Sequence, residues 1–236
     1  MDLQPHHWRR SSPTAVAATV ADLATVGPYF TVTTGEPGPG PWRPVGRLYD
    51  DPAALAAVVT HVGEQIGAGE RRVAASTLLM GYAARLWSLT LGAVVRGRLV
   101  LTLDPEELLW HENLGQIRLH VREPRGRDGG DLVASARETV LDRHLQPLIA
   151  AIRAAEPMSA HLLWGNVASA LVGTAHVLDG ETGSDAITVA EQVLHDPRLA
   201  PTLERGPSGY RRRSCCLFYR TAVSGYCGDC PLPRRK

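Results

Sequence analysis

Four cysteines carry the most specific chemistry in this 236-residue chain, and all of them lie between Cys215 and Cys230. Their spacing is Cys215-Cys216, ten residues, then Cys227-Gly-Asp-Cys230. A Cys-x-x-Cys turn lets two thiolates converge on one metal, and Gly228 relieves the steric crowding of that turn. Four thiolates is the count for tetrahedral zinc or for an iron–sulfur cluster. The adjacent pair discriminates between them. Neighbouring side chains on an extended backbone point to opposite sides, so bringing both sulfurs to one zinc needs a bent backbone. Zinc sites typically use pairs spaced by about two to four residues. A 2Fe–2S cluster is wider and has two metals to serve, so it accommodates an adjacent pair more easily. The spacing favours the cluster and leaves two alternatives open: a structural zinc knuckle, and incidental or disulfide-bonded cysteines. Adjacent cysteines bridge each other poorly because the geometry is strained. A thioredoxin-like dithiol at Cys227 and Cys230 lacks the βαβ surroundings that motif requires.

The rest of the chain must position these thiols. Hydrophobic residues make up 44% and charged residues 21%, as in folded soluble proteins. Aromatics are only 6%, so the core must be built from Ala, Leu and Val. The net charge of +1 argues against a generic, strongly basic nucleic-acid binder. The N-terminus superficially suggests an export signal, basic then apolar, but Asp22 interrupts it with the period of an amphipathic helix. Val73 to Val95 reaches spanning length, about 20 apolar residues. Arg85 at its centre is costly at mid-bilayer, so a buried helix is expected and no membrane span; peripheral membrane contact is left open. The expected compartment is the cytoplasm, where structural disulfides are not expected.

Asp51 and Pro52 open a helix that runs to about Gly67, and Arg72 to about Val95 forms the long apolar helix. Gly35 to Pro44 (GEPGPGPWRP) reads as loop. Leu99 to Leu103, Leu108 to His111 and Gln116 to Arg122 read as strands of a small antiparallel sheet. In the last of these Ile117, Leu119 and Val121 share one face, with Arg118, His120 and Arg122 on the other. Helices resume at about Asp131, with Pro147 expected to bend or break the run. Pro157 ends it, Ser159 caps a helix spanning His161 to Leu178, and another runs from about Ser184 to Leu194. The expected fold class is α+β, mainly α-helical. Residues 1–205 form a helical domain with a small antiparallel sheet, and residues 206–236 an irregular, cysteine-bearing C-terminal segment.

The segment CCLFYRTAVSGYCGDCPLPRR resembles the C-terminal motif of ferric-siderophore reductases of the FhuF type. Cys215, Cys216, Cys227 and Cys230 fit each position of the pattern with which that family binds a 2Fe–2S cluster. Leu79 to Leu89 (LMGYAARLWSL) and Leu162 to Ala170 (LLWGNVASA) are similar to the family's two apolar helices, in the same order. Together these cover roughly a sixth of the chain; the cysteine motif is specific, the helix matches less so. The resemblance implies an enzyme that reduces siderophore-held Fe(III) to Fe(II) for cytoplasmic release. The rival class is a non-enzymatic zinc- or cluster-stabilised interaction module, such as a redox sensor.

A 2Fe–2S centre passes one electron at a time, which matches the ferric-to-ferrous step. No Gly-x-Gly-x-x-Gly after a strand and no P-loop offers a hydride-cofactor site, so the electron must come from another protein of ferredoxin or flavodoxin type, or from another reductant. Arg211, Arg212, Arg213, Arg220, Arg234, Arg235 and Lys236 flank the cysteines. An arginine about 8 Å from the centre, at an effective dielectric of about 20, stabilises an added electron by roughly 2 kcal/mol. Such charges raise the reduction potential, so reduction is expected to be pulled by removal of Fe(II). The same charges are candidates for docking an acidic donor or an anionic siderophore. Among them we single out Arg213 and Arg220, and with them Trp164 and Asn166 as candidate lining of a siderophore cleft; helix packing and a satisfied amide are the plainer roles for the last two. Arg85, a charge in an apolar helix, needs a partner or a pocket, and a buried ion pair is the plainer expectation.

Overall fold

The computed structural model describes residues 8–113, 116–182, 185–206, 209–222 and 225–232. Residue Ser184, where a helix was expected to start, and Arg234, Arg235 and Lys236 lie outside the described residues. In chain order the elements are β1 (Arg9–Arg10), α1 (Pro13–Ala24), β2 (Val32–Thr34), β3 (Arg43–Pro44), α2 (Arg47–Asp50), α3 (Pro52–Ile66) and α4 (Arg71–Gly92). There follow β4 (Leu99–Leu101), β5 (Leu109–Asn113), β6 (Gln116–Val121), β7 (Gly126–Asp128), α5 (Leu132–Arg137), α6 (Gln146–Ala155), α7 (Ala160–Thr182), α8 (Ala186–Leu194), β8 (Leu203–Gly206) and β9 (Gly209–Arg212). The fold is α+β and mainly helical, as the sequence implies.

Local chemistry accounts for the helix ends. Ser12 accepts the Ala15 N–H at 3.2 Å and Pro13 takes the first position of α1. Asp51 accepts the Ala53 and Ala54 N–H groups, each at 3.0 Å, with Pro52 first in α3. Gly67, at φ +59°, supplies the left-handed turn that closes α3.

Pro147 does not break its helix. The chain stays helical from Leu132 to Ala155 through a π-helical stretch, Glu138–Leu145. The Gln146 N–H reaches back to the Leu141 carbonyl, and the register change puts Pro147 in the first turn of α6. A proline there loses no bond that the helix needs.

The core centres on α4 packed against α7, with α3, α6 and α8 around them. Small buried residues (Ala75 and Ala83 on α4, Ala168 and Ala175 on α7) sit among Leu79, Leu86, Trp87, Leu163 and Leu171. The stretch Arg71–Gly97 is long and apolar enough to cross a membrane by length and composition, and 72% of its apolar window is buried inside the fold. Protein contacts thus supply the apolar surroundings that this helix requires.

The main sheet has the order β2-β6-β5-β3. β5 and β6 form the expected antiparallel pair, Trp110 opposite Leu119, but β2 runs parallel to β6, so the sheet is mixed. Leu119 and Val121 are buried, as their alternation requires. His120, on the opposite and nominally polar face, is buried as well. Trp42 from the Gly/Pro-rich loop covers it at 5.2 Å between ring centroids. Its ring nitrogens meet Thr33 Oγ1 at 2.9 Å and the Gly35 carbonyl at 3.1 Å. A second sheet, β1-β7-β4, is antiparallel, and β8 pairs with β9 in a hairpin that was not expected from sequence. That hairpin begins at Leu203 and so straddles the 205/206 boundary drawn from sequence.

Candidate metal centre

The β8–β9 hairpin delivers the chain into the cysteine segment. Alternation along β9 turns Arg212 inward and Arg211 outward, and Arg213 just beyond is exposed. Arg212 is only 1% exposed, and a buried charge survives only when its surroundings compensate it. Its Nη1 donates to Asn166 Oδ1 at 2.8 Å and its Nη2 to Cys227 Sγ. Its Nε lies 3.0 Å from Asp229 Oδ2, an ion pair not aligned as a hydrogen bond. Burial pushes the Arg212 pKa down most strongly, yet Cys216, Asp229 and Cys227 together outweigh it and leave the pKa raised.

Asn166 extends this connection into the core. Its Nδ2 donates to Ser76 Oγ at 2.8 Å and to the Ser76 carbonyl at 3.2 Å. Ser76 Oγ in turn donates to the Cys216 carbonyl at 2.7 Å. A closed path therefore runs α4–α7–Arg212–Cys227, and from α4 directly to Cys216. Two glycines permit the close approach. A Cβ on Gly165 would meet Ser214 Oγ at 2.9 Å, and one on Gly67 would meet Ala222 Cβ at 2.6 Å. The Ala222 N–H bonds the carbonyls of Ile66 and Gly67, each at 3.3 Å, and pins the far side of the segment to the end of α3.

All four cysteines are free thiols. Cys216 is buried, and its Sγ lies 3.6 Å from Cys227 Sγ. Two sulfurs sharing a tetrahedral metal with bonds of about 2.3 Å stand about 3.8 Å apart, so this separation suits one metal. Cys215 points elsewhere: its Sγ accepts the Leu217 N–H at 3.3 Å. Leu217 takes a left-handed φ of +70°, and this bends the chain after the adjacent pair. Burial pushes the Cys215 thiol up, and the nearby Cys216 and Cys230 add to the effect. The Cys227 hydrogen bond, with Arg212 adding to it, draws Cys216 down to about 5, while the same bond and burial raise Cys227. Arg212 lowers both thiols, so its charge favours the thiolate form at this pair.

Among the described residues no three His, Cys, Asp or Glu side chains converge as a ready site for one metal ion. Cys216 and Cys227 are in direct contact, and Cys215 lies within electrostatic range of both Cys216 and Cys230. Buried hydroxyls in the same stretch, Ser214 Oγ and Thr221 Oγ1, have no hydrogen-bond partner.

The other candidates fall differently. Asn166 is 1% exposed with its amide fully engaged, so it positions Arg212 and does not line a cleft. Trp164 is part-buried against the core, with the Arg198 guanidinium 5.2 Å from its ring. Arg220 is exposed and paired with Glu70 at 2.7 Å, which ties the segment to the start of α4. Arg85 has no carboxylate partner among the described residues; its Nε donates to the Ile117 carbonyl at 2.7 Å, correcting the expected ion pair. Sequence reasoning did not single out Arg212 from its arginine neighbours, nor did it find Ser76 or Asp229. Only the inward register of β9 distinguishes Arg212, and no residue pattern announces that register.

A family model described as FhuF 2Fe-2S C-terminal domain matches residues 212–232, a stretch that takes in Arg212 and all four cysteines. The match covers the cysteine segment alone. No curated protein matches the chain.

Proposed function

We propose, from a chain whose C-terminal segment is a FhuF-type 2Fe–2S domain, that this protein is a cytoplasmic ferric-siderophore reductase. In this reading Cys215, Cys216, Cys227 and Cys230 hold the cluster. When bound, that group supplies single electrons for reducing chelated Fe(III), whose oxygen-donor ligands hold Fe(II) far less well. The chain's own residues do the rest. Arg212 places a positive charge on a ligand sulfur and so favours the more negative, reduced state. Asp229 offsets part of that charge. Ser76 and Asn166 fix the segment to α4 and α7, so that its position relative to the helical domain is set. Arg213, exposed beside the segment, is the candidate contact for an acidic donor protein of ferredoxin or flavodoxin type.

The observation that carries this reading is the family match over a segment where a buried arginine touches a cysteine sulfur. Anaerobically purified protein is expected to be reddish-brown, to contain iron and sulfide, and to give an EPR signal on reduction. The reduced protein should then release iron from a ferric hydroxamate into an Fe(II) trap. Stoichiometric zinc without sulfide, in protein from iron-replete cells, would sink the cluster. A loaded protein that leaves ferric chelates untouched with a strong donor would favour the non-enzymatic module.

A further inference from the structure

Three other arginines of low exposure each have a carboxylate: Arg96 has Asp22, Arg198 has Asp196, and Arg212 has Asp229. Arg85 is the exception. It sits mid-way along α4, and burial lowers its pKa. Its partners are the carbonyls of Ile117 and Gly81, at 2.7 and 3.3 Å, and the Tyr29 ring, whose centroid lies 4.4 Å away. Such an arrangement gives a part-buried positive charge no carboxylate among the described residues, at a cost that an apolar residue would not incur.

Two clefts meet at Arg85, each of about 210 Å³. One runs between α3 and α4, past Thr77, Gln65 and Ile66. The other opens over the sheet beside Thr31, Thr33 and the exposed Arg118. Among the described residues, neither is lined by an Asp or Glu. Two residues of the first cleft connect to the cysteine segment: the Ile66 carbonyl accepts the Ala222 N–H, and Thr77 is next in sequence to Ser76, which bonds the Cys216 carbonyl. From Ser76 to Arg85 is about 13 Å along the helix axis at about 1.5 Å per residue. Ligand sites that enclose a whole small molecule measure roughly 300–1,000 Å³, so each cleft admits one arm or ring of a larger ligand and not the whole of it.

We infer that these clefts seat an oxyanion-bearing arm of the ferric chelate, and that the site therefore selects anionic chelates over cationic ones. The inference rests on the reductase reading for its ligand. Arg85 bonds the oxyanion, Tyr29 stacks on the arm, and Arg118 attracts it at the mouth.

Binding of redox-inert gallium(III) chelates to the cluster-loaded protein tests this without electron transfer. Calorimetry with a strongly anionic gallium(III) tris-catecholate should show binding about tenfold or more tighter than with cationic gallium(III) desferrioxamine, the worth of one charge-assisted hydrogen bond. Arg85→Gln should abolish that preference. Arg118→Gln, on the exposed sheet face where folding is not at risk, should weaken the anionic chelate by roughly threefold and leave the cationic one unchanged. Arg122→Gln, outside both clefts, should change neither. Equal binding of the two chelates by the wild type, or no loss in Arg118→Gln, overturns the assignment. Charge-selective binding without reduction of the ferric counterpart would leave the clefts standing and remove the reductase reading instead.

Discussion

Ser76 and Leu79 lie about one turn apart on α4 and answer to different physics. Leu79 is sunk among apolar side chains of the core, where a fully buried leucine contributes about 1.5–3 kcal/mol by leaving water. Ser76 is equally buried, but what it offers is a hydroxyl to the Cys216 carbonyl and an acceptor to Asn166. The helical region is held by many interchangeable contacts of the first kind. The cysteine segment is attached by a few specific ones of the second, each worth about 1 kcal/mol net, together with whatever its thiols bind. The segment should therefore depend on single residues and on its metal group, whereas the helical region should depend on the sum of its packing.

Cys227→Ala gives the largest separation of the two. The visible absorbance and the EPR signal should disappear, while far-ultraviolet circular dichroism and the main thermal transition stay close to wild type. Collapse of the helical signal together with the colour would show that the two regions fold as one. Leu79→Ala should act in the opposite sense, costing about 2–5 kcal/mol of stability in urea unfolding. Below the transition its cluster spectrum should be unchanged.

Acid should also strike the helical region first. His144 is fully buried; its Nε2–H donates to the Leu103 carbonyl at 2.7 Å, and its Nδ1 accepts from Tyr49 or Tyr82, at 2.7 and 3.0 Å. Burial holds its pKa down at about 4, against 6.5 for an ordinary histidine. The unfolded chain therefore takes up this proton before the folded one does. The stabilisation is complete above about pH 6.5 and is lost as the pH falls toward about 4, a change of about 3 kcal/mol at 1.36 kcal/mol per unit. Urea midpoints measured across that range should fall with pH, and a flat profile in which only the colour fades would reverse the expectation.

The smallest effect sharpens the picture inside the segment. Arg212→Gln removes a charge that at about 6 Å, with a dielectric of about 20, is worth about 3 kcal/mol. With Asp229 offsetting part of it, the reduction potential should fall by roughly 50 mV or more in a potentiometric EPR titration. An unchanged potential would mean that Arg212 serves packing alone.

How far these regions could be read in advance differs in the same way. The Asp51-Pro52 start of α3, the long apolar α4 and the β5–β6 pair were legible because each is written in consecutive residues as a cap, a period or an alternation. Pro147 misled because a π-helical stretch upstream absorbs the register change, and no local signal marks such a stretch. The burial of His120 was not legible because its cover, Trp42, comes from a loop remote in sequence. Arg85 was legible as an anomaly, a charge in an apolar helix, but its surroundings were not.

The amino-acid sequence by itself determined which atoms are offered to a metal group: four thiols at this spacing, close together in the chain. Only the tertiary structure decided which charge touches them. Arg211, Arg212 and Arg213 are equivalent as letters, and the strand register of β9 buries the middle one. Asn166 and Ser76, from helices far away in the chain, then give its guanidinium and the Cys216 carbonyl their partners. A buried charge must find its partners across space, and the chain order does not contain that distance.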